Sequence, residues 1–226
     1  MILKQDNNDY VAHVRTTDKK IQTLKNHLLK VAEITKQLAT KINASEAGEL
    51  IGLLHDFGKY SAFFQNYIQS GTGLLNPDLD DDYVDAVALK GKIDHSTAGA
   101  QWIWEALSKY GKNGEGKLCG QILALCIASH HSGLIDCLKP EGINEFNERI
   151  NKDDARSHLA ECKQNADATI LEQAGQLADK PLMSAILKQI KLLTRNEQHG
   201  QKISEAVKHF YIGFWTQFLF RTSTSN

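Results

Sequence analysis

From Leu24 the apolar residues Leu24, Leu28, Val31, Ile34, Leu38 and Ile42 step by three or four positions, the period of a helix with one buried face. A second helix, capped by Asn43 or Ser45, runs through Leu50, Ile51, Leu53 and Leu54 to His55-Asp56, with Gly58 as a stop or a point of close approach. Phe63, Phe64, Tyr67 and Ile68 predict a short third helix. Between residues 71 and 94 the period gives way to Gly, Asn, Pro77 and the acidic set Asp78, Asp80, Asp81, Asp82 and Asp85. That stretch reads as a surface loop, because the ligand spacing and glycine of an EF-hand are missing. Asp94-His95-Ser96-Thr97 then supplies capping residues for a helix through Ala98, Ala100, Trp102, Ile103 and Leu107, which places His95 at a helix N-terminus. Residues 118–129 are apolar nearly all round and predict the central buried helix, ending at His130-His131.

Beyond a connection over 134–152, with a short helix near Ile143, the pattern predicts one long helix over 153–179. Two more follow, over 182–194 behind Pro181 and over 203–220. Residues 1–22 show no sustained period and read as a loosely structured lead-in in which His13 has no partner nearby. Residues 221–226 read as a polar tail. No strand-like alternation persists, so the expected fold is all-α, one domain over 1–226.

Composition narrows the function. No run of 18 apolar residues and no apolar signal core at the N-terminus point to a membrane, and the expectation is a cytoplasmic protein. A net charge of −1 excludes a broad basic surface, so any affinity for a polyanion is local. Arg15, Lys19, Lys20, Lys25, Lys30, Lys36 and Lys41 outnumber Asp18 and Glu33 around His27, either as a phosphate-attracting patch or as a solvated helix face. Cys119, Cys126, Cys137 and Cys162 lack CxxC spacing and read as free thiols. The segment 111–118 imitates a phosphate-binding P-loop, but Leu118 stands where Ser or Thr must hold magnesium and no strand precedes it. It reads as an interhelical turn.

The candidate chemistry lies at helix ends. Neutral imidazole and carboxylate are the usual ligands of divalent first-row metals, and His27, His55, Asp56, His95, His130 and His131 are six such groups. A lone His-Asp dipeptide is commonly an accident, and a histidine beside a buried stripe, as His27 is, more often belongs to the core. The cluster as a whole reverses that weighting. Lys59, three residues after Asp56, is placed to pair with the aspartate or to neutralise a phosphate. His158, His199 and His209 read as structural or surface residues.

The segments His27, His55-Asp56-x-Gly58-Lys59, Asp94-His95-Ser96-x-x-Gly99-Ala100 and Ser129-His130-His131-Ser132-Gly133 resemble the HD superfamily of metal-dependent phosphohydrolases. More closely they resemble the HD nuclease of type I CRISPR interference, usually fused to a helicase. The match runs from about residue 25 to 133, with a weaker similarity in the C-terminal half. The resemblance implies an HD-type helical bundle that cleaves single-stranded DNA alongside a CRISPR interference complex or a separate helicase. The accompanying reading gives His27, His55 and Asp56 one metal, and His95, His130 and His131 a second, with Asp56 bridging. Lys59 and Ser96 assist, Ser96 by holding a phosphate oxygen or orienting a ligand. Nitrogen-rich ligation favours Mn, Fe, Co, Ni or Zn over magnesium. Relatives carry a further aspartate ligand after the last helix, which is absent here. The corresponding expectation is a weakened first metal site in an excised, truncated or stand-alone domain. A non-catalytic HD module and a nucleotide phosphohydrolase are the alternatives. Asp56→Ala is expected to abolish cleavage and leave the helical fold intact.

Overall fold

The computed structural model describes residues 10–131, 133–137, 139–194 and 204–224. It begins with strands where none is expected: β1 (Val11–Val14) and β2 (Ile21–Thr23) form an antiparallel ribbon. Strands of four and three residues are too short to show alternation, and an isolated two-stranded ribbon is marginal in water. This one is clamped from outside. The Gln65 side chain accepts from Val11 N (2.9 Å) and donates to Val11 O (3.1 Å), pairing with β1 much as a neighbouring strand would, while Val11 and Ala12 are buried.

β2 feeds directly into α1 (Leu24–Ala39), where Thr23 Oγ1 caps Asn26 N at 3.4 Å. The face with Leu24, His27, Leu28, Val31, Ala32 and Thr35 is buried against α2 (Ser45–Leu54). Neither expected residue caps α2. Asn43 takes the left-handed conformation and Ser45 Oγ bonds Glu46, so Ala44 occupies the cap without a side-chain bond. A 3₁₀ turn over Phe57–Tyr60 leads to α3 (Ala62–Thr72), capped by Ser61. The acidic loop contains one helical turn, α4 (Ala86–Leu89), which Asp85 caps.

α5 (Thr97–Leu107) and α6 (Glu115–Ala128) pack together, joined by the turn expected in place of a P-loop. α6 is the central buried helix, with Ile122 through Ala128 all buried. After α7 (Glu145–Ile150), the predicted long helix is three: α8 (Asp154–Ser157), α9 (Leu159–Asn165) and α10 (Ala168–Leu177). His158 in the left-handed region and Ala166 in extended backbone break the run, and Asp153 and Asp167 cap α8 and α10. α11 (Lys180–Thr194) carries Pro181 in its first turn. α12 (Glu205–Thr224) packs on α1, α2, α6 and α11. It continues through residues 221–224, so these do not form a polar tail; Thr222 Oγ1 bonds Leu219 O at 2.7 Å, keeping its hydroxyl satisfied within the helix. Ile203, His199 and residues 225–226 lie outside the described residues. The fold is helical, as expected, apart from the ribbon. Among the described residues no helix is long and apolar enough to cross a membrane.

One close approach sets up the site. A Cβ at Gly99 would overlap Leu54 O, so α5 meets the end of α2 at a distance only glycine allows.

Candidate metal centre

His55 is the C-cap of α2, its N–H still bonded to Ile51 O (2.9 Å), and Asp56 leaves the helix with φ −105° and ψ 20°. Two residues later Gly58 N donates to His95 O at 3.0 Å, and a Cβ at Gly58 would overlap that carbonyl. Glycine there allows the His-Asp segment to lie against the one that starts α5. His130 and His131 arrive from the end of α6, and His27 from the buried face of α1. Four separate stretches thus meet at Asp56.

The two oxygens of Asp56 face different imidazoles. Oδ2 lies 3.0 Å from His27 Nε2, 3.2 Å from His55 Nε2 and 2.9 Å from Lys59 Nζ, and the two imidazole nitrogens are 3.1 Å apart. Oδ1 lies 3.4 Å from His95 Nε2 and 3.3 Å from His130 Nε2, and His95 Nε2 is 2.6 Å from His131 Nε2. Ligands at right angles around an ion with bonds of about 2.1 Å sit about 3.0 Å apart. The spacings on both sides are of that size.

Backbone carbonyls fix the direction of the lone pairs. His55 Nδ1 is 2.8 Å from Gly52 O and His130 Nδ1 is 2.7 Å from Ile127 O. A carbonyl only accepts, so each Nδ1 carries the proton and, in the neutral ring, each Nε2 presents a lone pair to the cluster. His130 Nε2 and Asp56 Oδ1 consequently face each other as two buried acceptors, and neither makes a hydrogen bond. Two such groups facing one another are unfavourable by themselves. A cation between them satisfies both, so the residues fit a divalent metal on the Oδ1 side, while Oδ2 faces two imidazoles, His27 and His55, and the Lys59 ammonium.

Burial opposes ionisation of Asp56, but its polar surroundings, with the Lys59 ammonium and the His27 ring against Oδ2, outweigh it and hold the carboxyl well below the usual carboxylate range. Burial pushes His95 down to about 3 and His131 to about 4, with Lys59 and neighbouring imidazoles adding to the effect. His27 is lowered chiefly by burial. Neutral imidazole is the form that ligates metal.

Beyond His131 and His95 opens a cavity of about 470 Å³ whose walls include Lys92, Asp94, Ser96 and Arg149. A family model described as Cas3, HD domain matches residues 12–216. The chain belongs to that family. No curated protein matches it. As a Cas3 HD domain the protein is a metal-dependent hydrolase of the nuclease type in a CRISPR context, with nucleic acid implied as its substrate class.

Within this HD domain, Lys59 takes one of its two anticipated roles. Its ammonium is buried, bonded to Asp56 Oδ2 and Ala12 O (3.4 Å) and set over the Phe64 ring, which commits it to the aspartate. Ser96 is buried as well. Its Oγ lies 3.3 Å from both Asp94 Oδ1 and Ala128 O and accepts from Arg149 at 3.0 Å, so it braces the His95 segment. Asp94 is the centre of that brace: it accepts from Ser96 N, Thr97 N and Thr97 Oγ1 and is paired with Lys152 and Arg149. Burial raises the Asp94 pKa, but these partners bring it below the carboxylate range.

Three residues near the centre lie where the sequence carries little signal. Arg149 and Lys152 lie in what reads as a variable connection, and His13 in what reads as a lead-in. A ring nitrogen of His13, one of His27 and an oxygen of Asp56 all lie within 4.8 Å of one another. The local hint is a histidine in the short apolar run Val11-Ala12-His13-Val14, which is too common a pattern to single out. His158 is half-buried and 3.5 Å from Glu161, and His209 is exposed, in keeping with structural or surface roles.

Proposed function

We propose that this HD domain hydrolyses phosphodiester bonds of single-stranded DNA with two divalent transition-metal ions sharing Asp56. His27 and His55 would hold one ion with Oδ2, and His95, His130 and His131 the other with Oδ1. The observation that carries this reading is the bifacial carboxylate, each oxygen at ligand-edge distance from a separate pair of imidazoles. When bound, such a pair of ions supplies Lewis acidity toward the scissile phosphate and acidifies the attacking water.

The chain's own residues prepare the site for that chemistry. Gly52 O and Ile127 O orient His55 and His130. Lys59 keeps Asp56 ionised while it is buried. The Asp94, Ser96 and Arg149 brace holds His95 in place. The cavity beside His131 offers the cations of Lys92 and Arg149 to an incoming phosphate, while a second cavity, of about 510 Å³, is lined by Arg15, Lys20 and Lys30 beside His13. Two local cationic cavities flanking the centre suit a strand backbone despite the net charge of −1. Because a single strand must first be exposed, a separate helicase or an interference complex would deliver it.

The test is cleavage of single-stranded DNA, double-stranded DNA and mononucleotides with Mn, Fe, Co, Ni, Zn or Mg, before and after chelation. Metal-dependent cleavage of single strands that disappears in Asp56→Ala is the expected result. Hydrolysis of mononucleotides alone would assign the site to a nucleotide phosphohydrolase. Metal binding without hydrolysis of any substrate would assign it to a non-catalytic module.

A further inference from the structure

On the Oδ2 side the ligand set proposed so far is His27, His55 and Asp56. We propose that His13, delivered by the N-terminal ribbon, is a fourth protein ligand of the ion on that side; this rests on the two-metal reading above.

The ribbon is built to aim this residue. Val11 pairs with Thr23 and His13 with Gln22, so Ala12 is an extra residue in β1 and the register shifts between Val11 and His13. A bulge of this kind redirects the side chain that follows it. Ala12 is fully buried and its carbonyl accepts from Lys59 Nζ, the cation already bonded to Asp56 Oδ2. Val11 is held in both directions by Gln65, whose Nε2 also donates to Lys59 O at 2.7 Å. The two residues ahead of His13 are therefore fastened to the same turn that carries Asp56.

From that fixed base the His13 ring reaches α1. Its centroid is 4.8 Å from that of His27, with the rings inclined at 75°. The ligand atoms of His13, His27 and Asp56 lie within 4.8 Å of one another. Two ligands on opposite sides of an ion are about 4.2 Å apart when each bond is about 2.1 Å, so a shift of a few tenths of an ångström in an exposed side chain closes the set. Three imidazoles and one carboxylate oxygen would match the composition of the opposite side and favour Mn through Zn over Mg.

The experiment uses the full chain. Manganese is titrated by calorimetry, and the cobalt(II) form is read by paramagnetic NMR, in which each ligating imidazole N–H gives a hyperfine-shifted signal. Wild type is expected to take up two ions and His27→Ala to lose one of them. In His13→Ala the Oδ2-side ion should bind at least about 10-fold more weakly, the lower end of the loss when even an outer-sphere partner is removed, and one imidazole signal should vanish. The other ion should be unaffected. Gln65→Ala loosens the ribbon but keeps the ligand, so it should weaken the same ion with every imidazole signal present at saturation. Wild-type affinity in His13→Ala, or weakened affinity with all imidazole signals retained, overturns ligation by His13. Absence of metal uptake in wild type, or unaltered uptake in His27→Ala, overturns the two-metal reading and this proposal together.

Discussion

The two sides of Asp56 use the same ligand chemistry in opposite settings. Around Oδ2, His27, His55 and Lys59 are all buried, and a fixed ammonium is already bonded to the oxygen. Around Oδ1, His131 is exposed, His95 is half-buried, a cavity opens alongside, and the oxygen has no hydrogen bond. One side anchors the carboxylate and the other leaves it available. A single residue can do both because its two oxygens point into different surroundings, which a lone His ligand could not achieve.

The largest effect should come from removing what both sides share. Asp56→Ala is expected to eliminate cleavage, a loss of several kcal/mol of transition-state stabilisation, measured as turnover of single-stranded DNA. The helical fold of this variant is expected to stay intact, but at lower stability. Without Asp56, the buried Lys59 ammonium loses its counterion, which costs up to about 3–5 kcal/mol. The double variant Asp56→Ala, Lys59→Met should recover most of that loss in chemical denaturation while remaining inactive. If the single variant is as stable as wild type, Oδ2 does not serve as the anchoring side.

Next, the sides can be separated. His55→Ala opens a hole at the end of α2 and leaves Gly52 O without its partner, so it should lower stability by about 2 kcal/mol as well as metal uptake. His131→Ala removes an exposed ring and should leave the melting temperature nearly unchanged while weakening one ion. Calorimetry paired with thermal denaturation checks both, and equal stability losses would erase the distinction between a buried and an open side.

A smaller effect tests how the sides are joined. Gly58→Ala forces a methyl group onto His95 O and should cost about 1–3 kcal/mol. By displacing His95 it should also weaken the Oδ1-side ion more than the other. Gly99→Ala would strain α5 against α2 instead, so comparing the two variants by denaturation and metal titration separates damage to the site from damage to the core.

The helices and the six candidate ligands were legible because a 3.6-residue period and a polar residue ending an apolar run are both local signals. Asp94 through Thr97 announced a helix start by the same local logic. What could not be read depends on distant partners. The ribbon exists because Gln65 and Lys59, some fifty residues away, bind its backbone. Arg149 and Lys152 acquire a role only because the fold carries them to Asp94. The break at His158 and the helical course of residues 221–224 run against local pattern: a left-handed residue inside an amphipathic run, and a Ser/Thr-rich end that continues as helix.

The smallest predicted effect is a pH dependence, and it again divides the two sides. His95 and His131 are pushed from the ordinary 6.5 to about 3 and about 4, burial being the main cause. The folded, metal-free protein therefore keeps them neutral at pH 5.5, whereas the unfolded chain takes up protons below about 6.5. Their stabilising contribution is complete above that value and is lost as pH falls toward the folded values, by about 1 kcal/mol for His95 between pH 7 and 5.5. Denaturation of metal-free protein across this range checks the sign. Metal binding should behave differently: an imidazole with an ordinary pKa would weaken an ion about ten-fold at pH 5.5 through proton competition, but His95 and His131 hold no proton there. The Oδ1-side ion should consequently show little loss of affinity from these two ligands between pH 7 and 5.5 in calorimetric titrations. A ten-fold or greater loss for each of them, measured against His95→Ala and His131→Ala, would mean that these rings are far more hydrated than the folded geometry allows.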